Sequence, residues 1–195
     1  VVIGTATVGS IVGSIVLTGA LVGARYAAQS LMQQKARRER QQATLAAAVP
    51  QWLDRVEWLD RLPEAFSGIV VGNELLDAMP AHIVAWREAG IFERGVAVDA
   101  AGEFVWQEQP AQGALRDAAE EIGRQCALPP GYESEISLAA RAWAGEWGHR
   151  LVRGALLLID YGFPRREFYH QQRARGTLMC HYRHHAHPDP FMLPG

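Results

Sequence analysis

The sequence predicts an α/β fold with an open, largely parallel sheet and an antiparallel insertion. Two apolar runs, residues 68–72 and 154–159, are each followed at once by polar residues. Runs that are apolar throughout are typical of strands buried on both faces of a parallel sheet. Helical patterns lie between the two runs. Residues 81–109 instead form short alternating segments separated by glycine, which predicts antiparallel strands from Ala81 to Gln109.

The composition is that of a globular protein. Of 195 residues, 49% are hydrophobic and 21% are charged, which excludes a disordered chain and suits one domain. The net charge of −2 argues against nucleic-acid binding. Basic side chains also cluster only at residues 35–40, which is too few for a basic binding surface. The two cysteines, Cys126 and Cys180, form no disulfide framework and suit a reducing compartment. The chain lacks an initiator methionine and is expected to be a piece of a longer protein.

Val1 to Ala24 contains no charged residue and allows two interpretations. It is long enough to cross a bilayer as a membrane anchor, with the basic residues that follow from Arg25 on the cytoplasmic side. It also suits a divergent first strand and helix, in which Val1–Ile3 pairs into the sheet and residues from about Val8 pack on its face. Residues 25–195 form the folded domain in either case.

The remaining elements follow from periodicity and chain breakers. A short strand is predicted at Arg55–Leu59. Three helices are predicted, at Gln29–Ala48, Leu115–Cys126 and about Glu135–Arg150. Ser134 is the expected N-cap of the last helix, and Trp143 and Trp147 would share one of its faces. Tyr161 to Gly195 shows no helical periodicity.

Polar residues cluster where the predicted strands end. Asn73 and Glu74 follow one buried strand, Asp160 and Tyr161 follow the other, and Asp60 follows the short strand. Ligands of open α/β sheets bind outside the carboxyl ends of the strands. Three acids at one edge would suit a ligand that offers donors, such as ribose hydroxyls, an adenine amine or a cationic side chain. Turn formation and helix capping are the alternative roles for such residues.

Four blocks of sequence carry a family resemblance. They are Gly72-Asn-Glu-Leu-Leu-Asp-Ala-Met-Pro80, Tyr132–Ser137, Gly154–Glu167 and Gly176–His187. In this order they resemble the MidA family, which includes the mitochondrial complex I assembly factor 7, and the match runs from about Arg37 to Gly195. The resemblance implies a Rossmann-like class I methyltransferase sheet that uses S-adenosyl-L-methionine (SAM). Here that sheet would be incomplete at both ends.

The resemblance also implies roles for individual residues. The implied reaction is methyl transfer to an arginine of a protein substrate, such as a respiratory complex I subunit. The implied location is the bacterial cytoplasm or the mitochondrial matrix. Oligomeric state is not predicted. The cofactor would lie against Gly4, Asp60, Asn73 and Glu74. The catalytic set would be Glu74, Asp77, Asp160 and Tyr161, and the acceptor side would be formed by Asp160, Gly162, His184 and His187.

The sequence departs from the family pattern at three places. Val2–Gly9 has neither the acid nor the paired glycines of the family's first turn, Arg25–Gln29 lacks the ribose-binding acid, and Gly195 precedes the last two strands of the expected sheet. Two functions therefore stay open. One is a SAM-dependent protein methyltransferase, and the other is a non-catalytic assembly or scaffold protein with a degenerate cofactor site.

Histidines cluster near the carboxyl end of the chain. The cluster consists of Cys180 and four histidines, His181, His184, His185 and His187. Histidine and cysteine are ligand types that zinc accepts. Structural zinc sites usually draw their ligands from two such clusters, and the sequence offers one. A solvated basic loop without metal is the prediction.

Overall fold

The computed structural model describes the backbone of Val2–Gly4 and residues 35–192. The chain forms two compact units, Val1–Glu64 and Ala65–Gly195. Most of the uncharged segment predicted at 1–24 lies outside the described residues, so both interpretations of it stay predictions. In the described part of the chain, no helix is both long and apolar enough to cross a membrane.

The first unit contains a pair of short parallel strands. Strand β1 (Val2–Gly4) pairs with β2 (Glu57–Leu59). Residues 35–48 form helix α1, and Pro50–Arg55 form a 3-10 turn that leads into β2. Proline at the start of this turn favours helical geometry there, so the strand predicted from Arg55 begins two residues later.

In the second unit, two parallel strands place their polar ends together. Strand β3 (Phe66–Asn73) pairs with β8 (Leu151–Ile159), and the last residues of the two strands stand opposite each other. The register sets Gly68 beside Gly154, where a Cβ on Gly154 would lie 1.8 Å from the Gly68 carbonyl oxygen. Only glycine permits that approach. The prediction of neighbouring parallel strands that end at one edge is confirmed. The prediction that both strands are buried is wrong for the described chain, because only Gly72 of the two strands is buried and residues such as Ile69 and Leu157 are exposed.

An antiparallel sheet fills the insertion, as predicted. Its strand order is β6-β5-β4-β7, and the strands are β4 (His82–Arg87), β5 (Gly90–Val98), β6 (Phe104–Pro110) and β7 (Glu133–Ile136). Helix α2 (Gly113–Cys126) contributes Leu115, Ala119 and Ile122 to a core with strand residues such as Val84 and Trp86. The Trp86 indole donates to the Ala119 carbonyl at 3.2 Å, so even the polar atom of this buried ring is satisfied.

The prediction of Ser134 as a helix N-cap is wrong. Ser134 is fully buried within β7 and pairs with Val84 of β4. Helix α3 spans Leu138–Arg150 and so begins three residues after the predicted start at Glu135. Its N-cap is Ser137, whose hydroxyl accepts from the Ala140 amide at 3.1 Å. Burial alternates along residues 133–136, which is the period of a strand. The predicted contact between Trp143 and Trp147 is present, with ring centroids 6.2 Å apart.

The carboxyl-terminal region holds short elements that sequence periodicity did not indicate. They are helix α4 (Arg165–Phe168), a 3-10 turn at Gln171–Arg173, and a hairpin of β9 (Cys180–Tyr182) and β10 (His185–His187). The hairpin turn, Arg183-His184, has both residues at positive φ, 49° and 68°. Positive φ at both residues is the conformation of a type I′ turn, one of the two turn types that favour two-residue hairpins.

Candidate functional site

The turn after β3 begins with a left-handed residue. Glu74 has φ 47°, and its amide donates to the Ile159 carbonyl at 2.8 Å, which extends the β3–β8 pairing by one bond. The Leu75 side chain then packs closely over Gly72. A Cβ at Gly72 would lie 3.1 Å from the Leu75 side chain and 2.9 Å from that of Leu158, so the position has no room for a larger residue. The side chain of Glu74 is consequently presented at the strand end in a fixed turn.

Asp160 fastens this turn to β8. One carboxylate oxygen accepts from the amides of Leu76 at 2.9 Å and Asp77 at 3.3 Å, and the other accepts from the Tyr161 amide at 3.0 Å. Hydrogen bonds from amides to an ionised carboxylate are stronger than neutral ones. Asp160 therefore holds the backbone of both segments that meet at the edge.

Tyr161 and Asp77 are joined through their side chains. The Tyr161 hydroxyl donates to Asp77 Oδ2 at 2.8 Å. This hydrogen bond raises the pKa of Tyr161, and the charges of Asp77, Asp160 and Glu74 raise it further. The phenol is thus neutral at physiological pH.

We call these four residues (Glu74, Asp77, Asp160 and Tyr161) the acidic edge. Within residues 35–192, no lysine, arginine or histidine forms an ion pair with any of its three carboxylates. Their negative charge is therefore not balanced by neighbours within the described chain. Such an edge can attract a cation, and its exposed carboxylates can accept a proton.

Comparison with known proteins identifies the family. Residues 25–195 match the family model described as "Putative S-adenosyl-L-methionine-dependent methyltransferase". The chain belongs to this family. The match confirms the resemblance drawn from the four sequence blocks. No curated protein sequence matches the chain.

Two solved structures resemble this family member closely. One is a crystal structure of a COG1565 superfamily member and "likely methyl transferase" from Burkholderia thailandensis bound to S-adenosyl-homocysteine, with 51% identity and a TM-score of 0.68. It is matched over 81% of this chain and 40% of that chain. The other is an uncharacterized COG1565 superfamily protein from the same organism, with 51% identity, a TM-score of 0.66, and coverage of 80% and 41%. The predicted α/β fold class is confirmed, and the chain spans less than half the length of these relatives.

Two of the other predicted site residues of this methyltransferase family member belong to a different unit of the chain. Gly4 and Asp60 belong to the first unit, where Gly4 pairs with Leu59. Asp60 accepts from Arg38 at 2.9 Å and is exposed. Arg38 also donates to the Trp58 carbonyl at 3.1 Å, so it fastens α1 to the end of β2.

Asn73 and Gly162 flank the acidic edge in sequence, whereas the histidines lie in the hairpin. His184 is exposed at the hairpin turn, and His187 pairs with Cys180 between β10 and β9. In the described part of the chain, neither histidine bonds to the acidic edge. Among the same residues, no group of three or more potential ligands is arranged to hold a metal ion.

Sequence reasoning missed an ionic network on the antiparallel sheet, formed by Arg87, Arg94, Glu108 and Glu133. Arg87 donates to Glu108 at 3.2 Å through Nε and also bonds to Glu133, which in turn bonds to Arg94. The bond to Glu108 raises the pKa of Arg87, and the same bond lowers the pKa of Glu108. All four side chains are at most 30% exposed. The four residues lie on different strands of the antiparallel sheet. The network becomes visible only from the pairing of these strands, which for example sets Arg94 opposite Glu108.

Glu135 on β7 is a second residue that sequence reasoning missed. Its carboxylate accepts from the amides of Thr177 at 2.8 Å and Leu178 at 3.0 Å. Gly176 has φ +74°, and a Cβ there would lie 2.4 Å from the Glu135 carboxylate. Both facts require glycine. Glu135 thereby fastens the segment that leads into the histidine hairpin.

Proposed function

We propose that the chain is part of a SAM-dependent methyltransferase that modifies an arginine of a protein substrate. The observation that carries the proposal is the convergence of three carboxylates and a phenol at the carboxyl edge of β3 and β8. This edge is where ligands bind in open α/β sheets. A relative that is 51% identical over 81% of this chain binds S-adenosyl-homocysteine, which supports SAM as the cofactor.

The residue chemistry of the edge fits such a cofactor. SAM carries an ammonium and a sulfonium, both cationic, and ribose hydroxyls that donate hydrogen bonds. Glu74 and Asp77 are exposed acceptors without a cationic partner among the described residues. Family resemblance assigns Gly4, Asp60, Asn73 and Glu74 to the cofactor. When bound, SAM supplies a methyl group activated by its sulfonium, and the protein supplies alignment and electrostatics.

Within the acidic edge the three carboxylates have different roles. Asp160 is a positioning residue, because both of its oxygens already accept backbone amides. Asp77 remains to bind a cationic acceptor, together with Glu74, which the family resemblance assigns to the cofactor as well. A guanidinium stays protonated in proteins and must lose one N–H proton when a methyl group is added. We assign the acceptance of that proton to Glu74, with Asp77 holding the guanidinium beside it.

Two arguments, family resemblance and charge, indicate the kind of protein that would be methylated. Family resemblance implies a respiratory complex I subunit, with Gly162, His184 and His187 on the acceptor side. Three acids at one edge favour a basic segment of such a partner, because opposite charges steer encounter.

A non-catalytic scaffold is the second candidate. It is favoured by residues 2–9, where neither an acid nor paired glycines follow the first strand. A scaffold could keep the fold and the fixed turn after β3 without binding SAM.

The test is methylation of arginine-containing peptides, followed by mass spectrometry. We expect methylarginine with the wild-type chain, and at least tenfold slower turnover with Glu74→Gln, which keeps shape but cannot accept the proton. Glu88→Gln, an exposed acid at the β4–β5 turn, is the matched control and should keep wild-type turnover. Calorimetry with S-adenosyl-homocysteine separates the two candidates. No heat of binding and no methylation would favour the scaffold.

A further inference from the structure

Tyr161 combines large exposure with a fixed position. The residue is 74% exposed, the largest exposed fraction among the large hydrophobic residues of the described chain. Tyrosine is one of the residue types enriched at the hot spots of binding surfaces.

A closed ring of hydrogen bonds holds Tyr161. Asp160 binds the backbone amides of both Tyr161, at 3.0 Å, and Asp77, at 3.3 Å. The side chains of those two residues then meet at 2.8 Å. One carboxylate thus fixes both backbones while the side chains fix each other, and the phenol is positioned before any ligand arrives.

The pair leaves two groups free for a ligand. The Tyr161 hydroxyl engages Asp77 Oδ2, and no described residue bonds to Asp77 Oδ1. The aromatic face of Tyr161 is open as well. A planar guanidinium can use both at once, because it stacks on an aromatic face while its N–H groups point outward in its own plane towards a carboxylate. An ammonium is a compact, strongly hydrated charge that gains less from the ring.

We infer that Tyr161 is a specificity-determining residue, whose ring stacks on the acceptor guanidinium while its hydroxyl holds Asp77 ready to bind it. This inference rests on the proposed function, because it assigns the acceptor to the same edge. It adds a reason for that edge to prefer arginine over lysine, and it names the residue responsible.

Two substitutions of Tyr161 and one control substitution test this role. Tyr161→Leu removes the ring, and Tyr161→Phe keeps the ring but frees Asp77. Tyr182→Leu is the matched control, since Tyr182 is also exposed, at 43%, and stands in the hairpin. Tyr161 is a surface residue, so the variants should fold, and circular dichroism verifies this.

The experiment measures binding of two probes, Nα-acetyl-arginine amide and Nα-acetyl-lysine amide, by NMR titration without cofactor. We expect the wild type and Tyr182→Leu to bind the arginine probe more tightly than the lysine probe. Tyr161→Leu should weaken arginine binding by about threefold to thirtyfold and lysine binding less. Tyr161→Phe should fall between Tyr161→Leu and the wild type. Equal binding of both probes by the wild type, or an unchanged preference in Tyr161→Leu, overturns the inference.

A parallel calorimetric titration with S-adenosyl-homocysteine separates this result from the proposed function. Binding of S-adenosyl-homocysteine without arginine preference keeps the methyltransferase proposal and rejects the role of Tyr161. Arginine preference that Tyr161→Leu abolishes, without binding of S-adenosyl-homocysteine, keeps the role of Tyr161 and rejects the cofactor.

Discussion

Two groups of charged residues in the second unit are built on opposite principles. In the ionic network, Arg87 and Arg94 meet Glu108 and Glu133, so two positive charges balance two negative ones. At the acidic edge, backbone amides hold the Asp160 carboxylate and a phenol holds that of Asp77, and no cation of residues 35–192 balances these two charges or that of Glu74.

The difference separates structural charge from functional charge. A balanced network already has its partners, and removing one partner leaves another charge uncompensated in a partly buried place. At an unbalanced edge, hydrogen bonds to Asp77 and Asp160 fix two of the carboxylates, and the field of all three still favours an incoming cation. The first group should therefore affect stability, and the second should affect binding and turnover.

The largest effect on stability is expected from breaking the network at Glu133. Glu133→Gln removes the charge shared by Arg87 and Arg94, both of which are less than a third exposed. We expect a loss of about 2–3 kcal/mol in the free energy of unfolding, somewhat below the cost of breaking a fully buried pair. Urea unfolding measures it, with Glu88→Gln as the control. A change below about 0.5 kcal/mol would mean that the network does not stabilise the sheet.

Asp160 tests the edge from its structural side. Asp160→Asn removes the charge and replaces one acceptor oxygen by a donor, so at least one of three amide bonds is lost. We expect a loss of about 1–2 kcal/mol, because the side chain is half-buried. Amide hydrogen exchange should become faster at one or more of the amides of Leu76, Asp77 and Tyr161. Unchanged exchange at all three amides would contradict the positioning role.

A smaller effect is expected at Tyr169, beside the antiparallel sheet. Its hydroxyl donates to the Glu135 carbonyl at 3.1 Å, and burial raises its pKa to about 12. Tyrosine in the unfolded chain ionises near about pH 10. The stabilising contribution of the neutral phenol is therefore complete below that pH and is lost as pH rises towards about 12.

Tyr169→Phe should cost about 1 kcal/mol at neutral pH, since it removes one hydrogen bond. It should also make the fall in stability between about pH 10 and about pH 12 shallower than in the wild type. Urea unfolding at several pH values compares the two proteins. Parallel pH profiles would show that Tyr169 is not the titrating group.

Much of the fold could be predicted because local patterns agreed with tertiary structure. The uniformly apolar runs around Val70 and Leu157 became paired parallel strands, and the glycine-separated segments became antiparallel strands. Ser134 shows the limit. A serine before a helical run indicates a cap, but burial of alternate residues from 133 to 136 made that segment a strand and moved the cap to Ser137.

The sequence selected four residues that the structure brings to one edge, but it could not give the contacts between them. Strand ends and family resemblance selected Glu74, Asp77, Asp160 and Tyr161. The sequence separates Asp77 from Tyr161 by 84 positions, so their hydrogen bond could not be inferred from spacing. The three amide bonds that Asp160 accepts likewise could not be inferred from the sequence.

The most direct test of the account is a paired measurement on Glu74→Gln and Glu133→Gln. For both variants and the wild type, urea unfolding gives stability, and calorimetry with S-adenosyl-homocysteine gives affinity. We predict opposite patterns. Glu74→Gln should change stability by less than about 0.5 kcal/mol and weaken the ligand by about tenfold or more. Glu133→Gln should lose about 2–3 kcal/mol of stability and keep affinity within about twofold. Wild-type affinity in Glu74→Gln, or equal loss of affinity in both variants, would contradict the separation of structural from functional charge.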